Sequence, residues 1–202
     1  MSALRVVVVL VLSISALVLQ AQDTIVWRDS LDAYWARMDA EFADSAHSPL
    51  KSEDRQVFEH LHRFTADHSY CVEATFAAVA HAEPFAMKTS TTRMPMYKVH
   101  GTLTFQLGDR EFSLPVYENA VPNPAYAYHL FLPFTDLTNG EESYGGGRYL
   151  DLQAPLGPTV IVDFNKAYNP YCAYNDRYSC PIPPIENHMD AEVRAGVLKF
   201  HD

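Results

Sequence analysis

Cysteine is scarce in this 202-residue chain: there are three, Cys71, Cys172 and Cys180. So few thiols cannot build a disulfide scaffold, and the fold must rest on a hydrophobic core. Structural zinc draws four ligands, commonly in close Cys or His pairs, and no close cysteine pair occurs. Cys172 and Cys180 share a stretch crowded with Pro and Tyr and are expected to form a disulfide in an oxidising compartment, leaving Cys71 a buried thiol in a strand. Glycine is also sparse, at eight residues. The one cluster, Gly145-Gly146-Gly147, precedes a strand pattern instead of opening a helix, which excludes a dinucleotide fingerprint. Basic residues are too few for nucleic acid: 15 Lys and Arg face 25 Asp and Glu, for a net charge of −10, whereas phosphate binding needs a concentrated positive face.

Long apolar runs are missing except at the start. Val6–Leu19, interrupted by Ser13 and Ser15, follows the positive Arg5. It falls short of the roughly 20 residues of a spanning helix and reads as the hydrophobic core of a signal peptide over residues 1–21, removed near Ala21. The mature protein is expected to be exported, periplasmic or extracellular, and not membrane-spanning. The pattern sets no oligomeric state.

What remains is an ordinary globular balance of 48% hydrophobic and 20% charged residues, read as one domain over residues 22–202. Helices are expected over 24–64. Trp27, Leu31, Tyr34, Trp35, Met38 and Phe42 recur at helical spacing as one apolar stripe. Ser52 is placed as an N-cap with Glu53 and Asp54 in the first turn, and Val57, Phe58, Leu61 and Phe64 make a second stripe. His60 and His62, two apart, point to different sides of such a helix and do not make a metal pair. From 68 to 202 the period is two. Tyr97, Val99, Gly101, Leu103, Phe105 and Leu107 alternate with Lys98, His100, Thr102, Thr104 and Gln106. Gly108-Asp109 then turns the chain back into Phe112, Leu114 and Val116. Further strands are expected near Tyr126–Leu132, Arg148–Leu152, Thr159–Phe164 and Glu192–Phe200. The fold class is α+β, mainly β: an antiparallel β-sandwich or barrel with two N-terminal helices packed on it.

Polar residues concentrate in two stretches. The first runs through Phe134-Thr135-Asp136, Gly140-Glu141-Glu142-Ser143-Tyr144 and Gly147-Arg148-Tyr149. The second runs Asp163-Phe164-Asn165-Lys166-Ala167-Tyr168-Asn169-Pro170, then Cys172-Ala173, then Cys180-Pro181-Ile182-Pro183-Pro184, closing on Asn187. Together they resemble the bacterial and archaeal family "domain of unknown function 1684", over nearly all of the chain after residue 22. The resemblance implies no activity. It marks Asp136, Glu142, Tyr144, Arg148, Asp163, Asn165, Tyr168, Asn169 and Asn187 as the polar signature. Asn139 and Ser143 replace Ser and Thr of the family pattern, and Val197 stands where the family has Glu, so any mechanism needing that carboxylate is lost here.

Two readings follow. If the stretches wall a cleft, the chain is an exported binding protein for a small polar ligand or a cell-envelope component. Alternatively it is a hydrolase-type enzyme in which Asp136, Glu142 or Asp163 work with Tyr144 and Arg148. No cofactor is expected, although the three carboxylates would suit Ca²⁺. The opposing reading is structural: the Asp and Asn residues form turns, and Arg148 pairs with Asp163 or Glu142 as a buried ion pair. A third possibility makes the chain a structural partner in an envelope complex, docking through its first helix.

Overall fold

The computed structural model describes residues 22–201 throughout and, before them, the helical backbone only. The expected leader, residues 1–21, lies outside the described residues. Among the described residues no helix is long and apolar enough to cross a membrane. The chain divides into two units, Met1–Met38 and Asp39–Asp202. The first consists of helix α1 (Ser2–Ala43), which runs five residues into the second. Leu31 and Trp35 are buried in its expected stripe, while Asp29 and Asp32 are exposed.

The second unit contains α2 (Ser52–Val57) and strands β1 (Cys71–Ala78), β2 (Phe85–Ala86), β3 (Met96–Leu107), β4 (Arg110–Asn119), β5 (His129–Asp136), β6 (Arg148–Gln153), β7 (Thr159–Asp163) and β8 (His188–Met189). They make one sheet in the order β6-β5-β4-β3-β1-β7, with β2 on β3 and β8 parallel to β5. The fold is therefore α+β and mainly β, an antiparallel sheet curled into a half-barrel with one main helix. Among the described residues the strands make one sheet, so the half-barrel stands where a sandwich or barrel was expected.

The second helix is also shorter than expected. It ends at Val57, and Leu61 to Phe64 lie outside any helix, with Arg63 in an isolated bridge. The backbone there is claimed by the C-terminal tail: Arg63 bridges Val197, the Phe64 amide donates to the Gly196 carbonyl at 2.9 Å, and the Leu198 amide to His62 at 2.9 Å. These bonds also hold residues 196–198 as a tail in place of the strand expected near Glu192–Phe200. Asp39 anchors the segment by accepting from the Leu61 amide (2.9 Å) and from Arg63 Nη1 at both carboxylate oxygens.

The β3–β4 hairpin forms as the alternation requires. Leu107 pairs Arg110 across the two-residue turn Gly108-Asp109, and Gly108 takes φ 59°, which side chains disfavour. Its register breaks once. Val99 pairs Tyr117 and Gly101 pairs Val116, so His100 is an extra residue in a β-bulge. One inserted residue reverses the sides of the strand. Beyond it, Leu103 and Phe105 join a core with Leu114, Val116, Leu132, Phe134, Leu150 and Phe164. Before it, Tyr97 and Val99 pack on the opposite face with Met87, Tyr117, Phe131 and Tyr149. The six residues Tyr97 to Leu107 thus do not share a face; the bulge divides them between two cores.

Candidate functional site

The two polar stretches meet as expected, but they close on each other through buried side chains. The amide and carbonyl of Tyr149 pair those of Tyr168, and the Tyr149 hydroxyl donates to the Pro181 carbonyl. At the centre Arg148 is fully buried. Its Nη2 donates to Asp136 Oδ2 (2.7 Å) and to the Val193 carbonyl (2.7 Å), and its Nη1 to the Ala195 carbonyl. The other Asp136 oxygen accepts from the Thr138 amide (2.9 Å), the Thr138 hydroxyl (2.6 Å) and the Val193 amide (3.2 Å). This hub fastens the ends of β5 and β6 to the C-terminal tail. The partner of Arg148 is Asp136, neither Asp163 nor Glu142, and no face of the guanidinium is open to a ligand.

The other signature residues divide in the same way. Asp163 caps the turn at Asn165 by accepting from its amide at 3.0 Å. Asn165 brackets Asp67, donating to its carbonyl and accepting from its amide, both at 2.9 Å. Asn169 holds the Leu198 carbonyl (2.9 Å), and Asn187 accepts from the Tyr117 hydroxyl (2.7 Å) while donating to the Pro115 carbonyl (2.8 Å). All four are buried. Such groups lose free energy unless paired; here Asp163 fixes its own turn, and the three asparagines tie their loops to distant parts of the chain. Only Glu142, Tyr144 and Tyr168 reach the surface. Glu142 accepts from Arg194 (3.0 Å), and Tyr168 donates to Asp151 (2.8 Å), which also holds His129 at 2.8 Å. The expected carboxylate trio of Asp136, Glu142 and Asp163 therefore has three separate sets of structural partners. Among the described residues no three His, Cys, Asp or Glu side chains are grouped to hold a metal ion.

Two of the cysteines differ from expectation. Cys172 and Cys180 are free thiols, not a disulfide, and Cys71 is free as well. The first two nevertheless lie together: the Cys172 amide donates to Cys180 Sγ at 3.1 Å, and the Tyr144 hydroxyl lies 3.8 Å from Cys172 Sγ.

A concavity lies elsewhere, at the bulge. The β1–β2 connection, residues 79–84, lines with β3 and β4 an open hollow of about 470 Å³, whose walls include His81, Glu83, Lys98, His100 and Glu118. The bulge turns His100 into it. The imidazole stacks on the Phe76 ring (5.7 Å, 18°) and stands 3.4 Å from Glu118, which pairs Lys98 at 3.0 Å. Gly101 makes the approach possible: a Cβ there would overlap the Phe76 ring and come within 2.6 Å of the Ala77 carbonyl. Burial pushes the Glu118 carboxyl up, but the hydrogen bonds and positive charges of Lys98 and His100 outweigh it and hold the group below its usual range. Sequence reasoning placed His100 only on a polar strand face. The overlooked signal was glycine inside a strand pattern, which marks bulges and close backbone approach.

Known proteins give the chain relatives but no chemistry. The model of a family described as "Protein of unknown function (DUF1684)" matches residues 56–198. No curated protein matches. Among solved structures, the solution NMR structure of the uncharacterized protein from gene locus rrnAC0354 of Haloarcula marismortui is 36% identical. The match covers 88% of this chain and 96% of that one, with a TM-score of 0.70.

Proposed function

The chain belongs to the DUF1684 family, and since that membership carries no activity, we propose a function from its own geometry: an exported binding domain that takes a small polar ligand in the hollow at the β3 bulge. The observation that carries this reading is the Lys98–Glu118–His100 cluster in the wall of a 470 Å³ concavity. Small-molecule sites commonly span about 300–1,000 Å³ and fix their ligand with a few convergent polar groups. Bulges are over-represented beside such sites because they re-aim side chains. Lys98 and His100 offer donors for a carboxylate or phosphate, and Glu118 offers an acceptor for an amine or hydroxyl. A small molecule bearing both kinds of group is the ligand class that fits. The signature residues then serve as the frame, holding the half-barrel and its loops rigid around the hollow.

A thermal-shift screen of amino acids, dicarboxylates, sugar phosphates and monosaccharides on residues 22–202 tests this reading, since a ligand that prefers the native state raises Tm. A hit should lose at least about tenfold in affinity, roughly 1.4 kcal/mol, when Lys98→Ala or Glu118→Gln is introduced. A hit indifferent to both substitutions and to His100→Ala would place the binding site elsewhere.

A further inference from the structure

The thiol pair lies apart from the hollow, and what it does is independent of that reading. Cys172 is half-buried, whereas Cys180 is only 8% exposed. The Tyr144 hydroxyl lies 3.8 Å from Cys172 Sγ, and the Cys172 amide donates to Cys180 Sγ at 3.1 Å, which sets the second sulfur beside the first residue. The surrounding backbone is fixed. Ser90 exchanges bonds with Cys180, the Cys180 amide donating to Ser90 Oγ (3.1 Å) and the Ser90 amide to the Cys180 carbonyl (2.9 Å). Thr89 bridges Pro181, and Arg93 clamps Ser179 by bonds of 3.2 and 2.7 Å. Cys172 is thus the more accessible thiol, with the Tyr144 hydroxyl beside it, and Cys180 is shut away next to it.

We propose that Cys172 and Cys180 form a thiol–disulfide exchange site, Cys172 attacking a small disulfide of the glutathione class and Cys180 resolving the product. In the first step Cys172 thiolate attacks one sulfur of the disulfide; a Cys172–S–S–R bond forms, the original S–S bond breaks, and one thiolate leaves to take up a proton. In the second step the Cys180 sulfur attacks Cys172 Sγ, the Cys172–S–S–R bond breaks, and the second thiolate leaves, taking up the proton that Cys180 gives up. The protein dithiol is oxidised by two electrons to the 172–180 disulfide, and the small disulfide is reduced to two thiols. The hydrogen bond from Cys180 lowers the Cys172 thiol, burial opposes it, and bonds from Tyr144, Ser90 and the Cys172 amide complete the shift, to about 6. The titratable groups facing the pair are Tyr144, held up at about 12 and therefore a donor, Tyr149, pushed up by burial, and Arg93. An attacking thiol works best when it ionises near ambient pH.

The reduced mature chain, treated with iodoacetamide between about pH 4 and 9 and analysed by peptide mass spectrometry, should label Cys172 first, with a midpoint near 6. Cys71, pushed up by burial to about 11, is the internal control and should lag at least about tenfold at neutral pH. Oxidised glutathione should convert the wild type to the 172–180 disulfide, and reduced glutathione should reverse it. Cys180→Ser should stop at a glutathione adduct on Cys172, and Tyr144→Phe should move the labelling midpoint upward. Labelling of Cys172 no faster than Cys71 overturns the proposal on wild-type protein alone. So does a disulfide that reduced glutathione cannot open, which would be a structural staple, or a folded Cys180→Ser that forms no adduct.

Discussion

Replacing Arg148 by alanine separates a structural hub from a ligand clamp. The guanidinium and its partner Asp136 are both fully buried at the side chain. Removing one member leaves the Asp136 charge in a low-dielectric interior without its cation, and strands the carbonyls of Val193 and Ala195. Breaking a buried pair this way costs about 3–5 kcal/mol. For a domain of this size each kcal/mol shifts Tm by about 2–4 °C, so Arg148→Ala should lower it by about 6–20 °C. Removing both charges together is different. Arg148→Met with Asp136→Leu leaves no orphaned ion and should cost markedly less than the single change. The assay is urea unfolding followed by circular dichroism on residues 22–202, reading the midpoint at constant slope. A single-mutant loss below about 0.5 kcal/mol, the size of an ordinary surface substitution, would refute the reasoning, because the hub would then hold nothing.

Three further outcomes are expected. Gly101→Ala must displace the Phe76 ring or the Ala77 carbonyl; it should cost about 1–3 kcal/mol and abolish binding in the hollow, as read by thermal melts with and without a screened ligand. Glu118 has a folded-state value below its unfolded one, so its contribution to stability is present above the ordinary carboxylate value of 4.5 and lost as pH falls through the lowered folded value. The Tm gap between wild type and Lys98→Ala should therefore be widest near neutrality and close in acid; a gap that grows on acidification contradicts the ion pair. Asn187→Ala leaves the buried Tyr117 hydroxyl and the Pro115 carbonyl without this partner, and denaturant titration should show a loss of about 1–3 kcal/mol.

Local patterns carried much of the fold. The alternation from Tyr97 to Val116 specified a hairpin, and Gly108 specified its turn, because a strand's side-chain period and a glycine's positive φ are properties of neighbouring residues. The stripe through Leu31, Trp35 and Phe42 specified the first helix for the same reason. The second helix misled. Phe58, Leu61 and Phe64 fit a helical period, yet the backbone of 61–64 pairs with residues 196–198, a partner far along the chain that local periodicity cannot register. Phe58 packs against Phe42 all the same, at 6.0 Å between ring centroids, so the residues were right for a core and wrong for a helix.

The candidate site divided along the same line. The sequence alone determined a mainly β, acidic chain, and it singled out the stretches around Tyr144 and Tyr168, since so many polar side chains in two loops must each find a partner. Whether those partners were a ligand or the protein was decided only by tertiary structure. Burial turned Asp136, Arg148, Asp163, Asn165, Asn169 and Asn187 inward to one another and to loop backbone, because a desolvated polar group is stable only where its hydrogen bonds are met. The open polar cluster fell instead at a one-residue bulge, where a shift in register exposes a histidine that strand alternation alone would have left as one polar residue among many.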